Sequence, residues 1–222
     1  MTLKPRIVKA THGTKIFIQD SPTEKNFASH LRKTLSTEEI QALFSRYCEG
    51  LSEYDFTMRR IIWKALAKKV GNGLRIGVGV RFKHLETFSF GKNVFIGDSV
   101  HLQGRHDGEA YIGDGCWIGP QTFIDARCLK ISRKVGLGPS VRILGSTHTG
   151  LPIEKPVIET DLEIKPVFIG ENADIGTGSI ILPGVKISKG AIVGAGAVVT
   201  RNVKSMQVFC GVPAKKIKAR NY

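Results

Sequence analysis

Six histidines are spread along the chain: His12, His30, His84, His101, His106 and His148. Only His148 stands where a regular pattern gives way to a long irregular stretch. Imidazole has an unperturbed pKa near ~6.5 and can take up a proton at neutral pH, so a histidine at such a junction is a candidate general base. A lone histidine is more often structural; its location singles this one out. The other group with chemical promise is cationic. Lys215, Lys216, Lys218 and Arg220 cluster near the C-terminus of a chain with 33 basic and 19 acidic residues and a formal charge of +14. That excess suits nucleic acid, anionic lipid or a phosphorylated small molecule. No nucleic-acid module is found, and aromatic residues are not interleaved with the basic ones, which argues against nucleic acid. A solvated tail is the plain alternative.

The pattern that His148 interrupts is a six-residue beat. Ile169, Ile175, Ile181, Ile187, Val193 and Val199 fall six apart without a slip. Earlier runs are Phe90, Ile96, Leu102; Ile112, Ile118, Ile124; and Ile131, Leu137, Ile143. Four places after each late aliphatic comes a small or short residue: Ala173, Ser179, Val185, Ala191, Ala197, Val203. A fixed short period marks a solenoid, whose units bury their apolar faces only by stacking. Six extended residues span about 20 Å, one short strand and a corner, and three such sides close a triangular coil. Cys116 and Cys128 fall in the small inward slots and are expected to pack as core residues of a reduced, cytoplasmic protein. Breaks in the beat become loops at a corner, often on the binding face. Four residues are extra between the Leu102 and Ile112 units, one is extra before Ile131, and register is lost over 149–168.

Residues 1–70 lack the beat. Ser36-Thr37-Glu38-Glu39 has capping-box spacing and predicts a helix to about Glu49, stopped by Gly50. Met58, Ile61, Ile62, Ala65 and Leu66 lie at helical spacing, with Arg59, Arg60, Lys64, Lys68 and Lys69 largely opposite. This second helix is expected to cover the open first coil; lying on a membrane surface is the alternative. A short strand is possible at 15–19. The expected organisation is an N-terminal segment with two capping helices (1–70), the coil (71–204) with its loop (149–168), and a basic C-terminal tail (205–222). No stretch approaches the ~18 apolar residues of a membrane span.

The run FIGENADIGTGSIILPGVKISKGAIVGAGAVVTRNV, the segment ILGSTHTG before the loop and the closing CGVPAKKIK together resemble the hexapeptide-repeat acyltransferases, over about residues 36 to 220. The likeness is greatest to the maltose, galactoside and nodulation-factor O-acetyltransferase branch. That resemblance implies a left-handed parallel β-helix, a homotrimer with sites between subunits, and acetyl-CoA as acyl donor with no metal. The acceptor it implies is a saccharide hydroxyl, as in surface-polysaccharide biosynthesis. Its catalytic histidine matches His148, and its coenzyme contacts fall on Thr177, Ala195, Thr200, Arg201, Lys215 and Lys218. For Thr177 and Ala195 the beat's need for small residues is an equal explanation. On the acceptor side, Asp125 lies close to a substrate-binding acid (a shift of one puts Ala126 there), and His106 is a second candidate contact. An asparagine and a tryptophan of the sugar enzymes fall at Gly119 and Asp174. The group that orients His148 could be a backbone carbonyl or a loop acid such as Glu154.

Three rivals share the fold. His101 and His106 have the separation of a zinc-binding pair in the γ-class carbonic anhydrases, although a third ligand upstream is missing and His84 is too close. An N-acetyltransferase on a nucleotide-linked amino sugar would use the same coil, although no GxGxxG fingerprint occurs in 1–70. A non-catalytic scaffold or membrane-binding solenoid predicts that replacing His148 changes nothing.

Overall fold

The computed structural model describes residues 7–10, 19–125 and 127–220. Stacked coils form three parallel sheets, one for each side of a triangle. The first sheet has six strands, the second eight and the third six. Like residues stack on like through the register. Phe90 pairs with Ile112, Ile112 with Ile131, Ile131 with Ile169 and Ile169 with Ile187 on the first side. Ile96, Ile118, Leu137, Ile175 and Val193 continue on the second side, and Leu102, Ile124, Ile143, Ile181 and Val199 on the third. All of these are buried, as are the six small residues four places after the late aliphatics, Ala173 to Val203. Cys116 fills such a slot. Cys128 does not: it is exposed, because the extra residue before Ile131 moves the inward position to Leu129.

The coil's first turn, within the expected 71–204 span apart from its first strand at Lys69–Val70, does not show the clean beat. Val70, Ile76 and Phe82 stack under Phe90, Ile96 and Leu102. A short 3-10 turn, Leu85–Thr87, lies between Phe82 and Phe90 and disguises the repeat.

Three helices cover this first coil: α1 (Pro22–Thr34), α2 (Thr37–Tyr47) and α3 (Glu53–Leu66). α2 opens on the expected Ser36/Glu39 capping box, and α3 on a second one, Ser52/Asp55. α1 went unread although Ser21 caps it and Pro22 opens it; it buries Ala28 and Leu31. Met58, Ile61, Ile62 and Ala65 of α3 are buried, and Trp63 packs against Phe82 and Phe90. Arg59 departs from expectation. It is not on the solvent side but 0% exposed. Its guanidinium donates to the carbonyls of Tyr47 (2.6 Å), Gly50 (2.8 Å) and Ile76 (3.0 Å), tying the end of α2 and the first coil to α3. An apolar stripe engaged in this way is not free to meet a membrane. The strand suggested at 15–19 falls almost entirely outside the described residues.

At the other end, the basic segment is structured. Lys215–Ala219 is a strand, antiparallel to Gln207–Cys210, that ends the second sheet. Among the described residues, no helix is long and apolar enough to cross a membrane.

Candidate active site

His148 ends the strand Ser146–His148, which pairs antiparallel with Leu162–Ile164 to form a hairpin outside the coil. Its imidazole Nδ1 lies 3.0 Å from the Thr160 carbonyl oxygen. A carbonyl can only accept, so Nδ1 carries the proton and Nε2 presents its lone pair. Among the described residues, nothing hydrogen-bonds that nitrogen. Thr160 is itself fixed: it is buried, its hydroxyl donates to the Val157 carbonyl (2.7 Å) and accepts from the Gly150 amide (3.1 Å). The Thr149 amide donates to the Asp161 carbonyl (2.8 Å), closing the hairpin. Of the two ways of orienting His148, the backbone carbonyl is the one present. Glu154 is an exposed loop residue.

The hairpin leaves the coil directly above Asp125. Leu144 pairs with Asp125 across the third sheet, and the Gly145 amide donates to the Asp125 carbonyl (2.7 Å). The Asp125 carboxylate accepts from Arg105 Nη2 at 3.1 and 3.2 Å. Arg105 and His106 belong to the four-residue insertion at the same corner, one coil below, where the exposed His106 ring lies 6.1 Å from that of His84. Asp125, His106 and the His148 hairpin therefore share one corner, between the third and first sides. His101 does not join them; it lies on the third side, edge-on to Phe123 at 5.4 Å. Among the described residues, no three His, Cys, Asp or Glu side chains are grouped to hold a metal ion.

The six coenzyme candidates divide between two corners. Thr177 and Ala195 stack on successive coils between the second and third sides, where the Gly196 amide donates to the Thr177 carbonyl (2.8 Å). Lys215 pairs with Cys210 at the end of that corner, and Lys218 pairs with Val208 further along the same strand. Thr200 and Arg201 are exposed at the corner that carries the His148 hairpin.

Residues 166–201 match the family model described as the hexapeptide repeat of succinyl-transferase. The chain is 31% identical over 162 residues to dTDP-4-amino-4,6-dideoxy-D-glucose acyltransferase of Escherichia coli, covering 69% of this chain and 83% of that protein. The chain is a hexapeptide-repeat acyltransferase. The galactoside O-acetyltransferase of Escherichia coli K12 is 27% identical, over 83% of this chain and 89% of the relative. A maltose O-acetyltransferase structure from Clostridium difficile 630 superposes with a TM-score of 0.57 at 26% identity, covering 83% of this chain and 86% of that one. Against three further relatives the match spans about half of their length, 46–51%. The coil is thus the left-handed parallel β-helix of this family, although the usual crossover preference is right-handed.

Of the two positions where the resemblance sets an asparagine and a tryptophan, Gly119 has a structural reason to differ. A Cβ at Gly119 would lie 2.7 Å from the backbone of Gly138 and Pro139, so that corner has no room for an asparagine. Asp174, at the tryptophan's position, is exposed on the second side beside Gly136. Ala126 lies outside the described residues. Sequence reasoning missed Arg105, and it offered a backbone carbonyl for His148 without saying that Thr160 supplies it. Arg105 could have been suspected from its place beside His106, whereas residue types do not say which backbone carbonyl reaches the ring.

Proposed function

We propose that the enzyme transfers an acetyl group from acetyl-CoA to a hydroxyl of a saccharide or glycan precursor, with His148 as general base. The single observation that carries this is the Nδ1–H bond to the Thr160 carbonyl, which leaves Nε2 as the acceptor. Nε2 takes the hydroxyl proton as the alcohol oxygen attacks the thioester carbonyl carbon. The C–S bond breaks, the new C–O bond completes the ester, and the proton passes to the departing thiolate to give free CoA. No acyl-enzyme is needed when both substrates are held together.

Asp125, braced by Arg105, is suited to accept hydrogen bonds from sugar hydroxyls, with His106 beside it. Thr177 and Ala195 are small enough to let the pantetheine arm approach the backbone, and Arg201, Lys215 and Lys218 supply charge for the phosphates. The Thr177–Lys215 corner and the His148 corner of one chain stand a side apart, up to about 20 Å. This separation supports a site shared by neighbours in a homotrimer, with the loop of one subunit over the cleft of the next. Four unpaired cysteines fit a reducing, cytoplasmic setting.

A second reading, N-acylation of a nucleotide-linked amino sugar, is favoured by the 31% identity to an acyltransferase named for such a substrate. Thiol release from acetyl-CoA across sugars, nucleotide sugars and amines decides between them. Release with hydroxyl acceptors, reduced about 10²–10⁴-fold in His148→Ala, is expected. Full retention of acceptor-dependent release by that variant would remove the mechanism.

A further inference from the structure

Where α2 crosses the first two coils, a groove of about 500 Å³ sets Arg81, Lys83 and His101 against a single carboxylate, Glu49. Its floor is apolar. Phe44 of α2 meets Phe82 edge to face at 5.0 Å, beside buried Val80. Arg81 and Lys83 lie two apart on one strand and so project from the same face. The next strand sets His101 directly opposite Arg81. Among the described residues, neither Arg81 nor Lys83 forms an ion pair. Glu49 lines the same groove, its carboxylate beside Gly79, 3.6 Å from where a Cβ there would sit, and it forms no ion pair with either cation.

Like charges facing one another across a ladder are destabilising. Burial, reinforced by Lys83 and Arg81 and opposed by Asp125, pushes the His101 imidazole below its ordinary range. Two cations that form no ion pair, beside an aromatic floor, match an anion with a flat apolar body. A guanidinium fork is suited to phosphate oxygens, and phenyl edges to an aromatic ring.

We propose that this groove binds a nucleoside phosphate, its phosphate on Arg81 and Lys83 and its base against the part-exposed edge of Phe82, which buried Phe44 backs. Two sources share that chemistry: a free nucleotide, or the nucleotide of a nucleotide-linked acceptor. Lys83, Gln103 and Asp125 are in register across three coils, spaced about 4.8 Å apart. That row leads from the groove toward Gly145 and the His148 hairpin, so a linked acceptor has a path along it; this second source rests on the function proposed above.

The test is calorimetric titration of the full chain with uridine monophosphate, uridine and inorganic phosphate. Uridine monophosphate should bind at least about tenfold tighter than either part, and Arg81→Ala/Lys83→Ala should weaken it by about tenfold or more. Lys215→Ala/Lys218→Ala should leave this binding unchanged. The His101 ring, which shares its surroundings with Arg81, Lys83, Asp125 and Glu49, should titrate at higher pH with the nucleotide bound. No binding at millimolar nucleotide, or equal binding by the Arg81/Lys83 double variant, overturns the proposal. A lower oligomer mass for that variant also overturns it, since the groove would then be covered by another copy. None of these readouts needs acetyl transfer, so they stand apart from the proposed reaction. Where transfer is measurable, a nucleotide that raises the acceptor KM alone marks the linked source. One that changes the rate at constant acceptor KM marks the free nucleotide.

Discussion

At the scale of single residues, the chemistry proposed above rests on which nitrogen of the His148 imidazole carries a proton. The Thr160 carbonyl settles that, and the Thr160 hydroxyl keeps the carbonyl in place through Gly150 and Val157. Thr160→Val removes both hydroxyl bonds while leaving the carbonyl itself. Its loosened hairpin should lower kcat about tenfold, a loss of ~1.4 kcal/mol, with the KM for acetyl-CoA within about twofold. An unchanged kcat would mean that the hairpin backbone orients the ring unaided. The cysteines allow a second check. Burial pushes the Cys116 thiol up to about 11, and it donates to the Ser132 carbonyl, whereas Cys128 is exposed. At pH 8 Cys116 is therefore almost wholly the unreactive thiol, because thiolate is the nucleophile. Iodoacetamide on the folded protein should label Cys128 and spare Cys116, as read by peptide mass spectrometry; labelling of Cys116 would show that the coil opens.

At the scale of elements, legibility followed periodicity. The inward ladder could be read because each buried aliphatic recurs at a fixed interval, and one inserted residue was enough to misplace Cys128. The first coil, inside the expected 71–204 span, carries no clean beat because two extra residues separate Phe82 from Phe90, and α1 was overlooked although Ser21, Pro22 and Glu24 mark its start. Arg59 was misread for a physical reason. A guanidinium among apolar neighbours looks solvent-facing until three backbone carbonyls, from 47, 50 and 76, converge on it. Arg59→Met keeps much of the stem but strands those acceptors. Losing charge-assisted bonds in a buried setting, partly offset by relief of desolvation, should cost about 2–4 kcal/mol in urea unfolding. A variant as stable as the parent would show that water replaces the guanidinium.

At the scale of the whole molecule, the most conspicuous unpaired surface lies on the loop next to His148. Ile153 is 84% exposed and Ile158 80%, and Leu151 and Val157 are exposed with them. Isolated exposed aliphatics need no explanation, but four within eight residues of one loop form a patch of the kind that marks an interaction site. The division of the coenzyme candidates between two corners points the same way, since one chain does not bring Lys215 and His148 to a single corner. A subunit boundary would satisfy both observations. The loop would bury its aliphatics on a neighbour while carrying His148 to that neighbour's Thr177–Lys215 corner. Ile153→Asp/Ile158→Asp places two charges in that contact without touching the coil, so the variant should fold and melt as a single-chain solenoid. Light scattering should then report less than the three-chain mass. Acetyl transfer should fall in proportion to the trimer lost, and recover at high protein concentration as mass action reassembles it. A variant that keeps the three-chain mass and full activity would mean that the loop faces solvent and that each chain completes its own site.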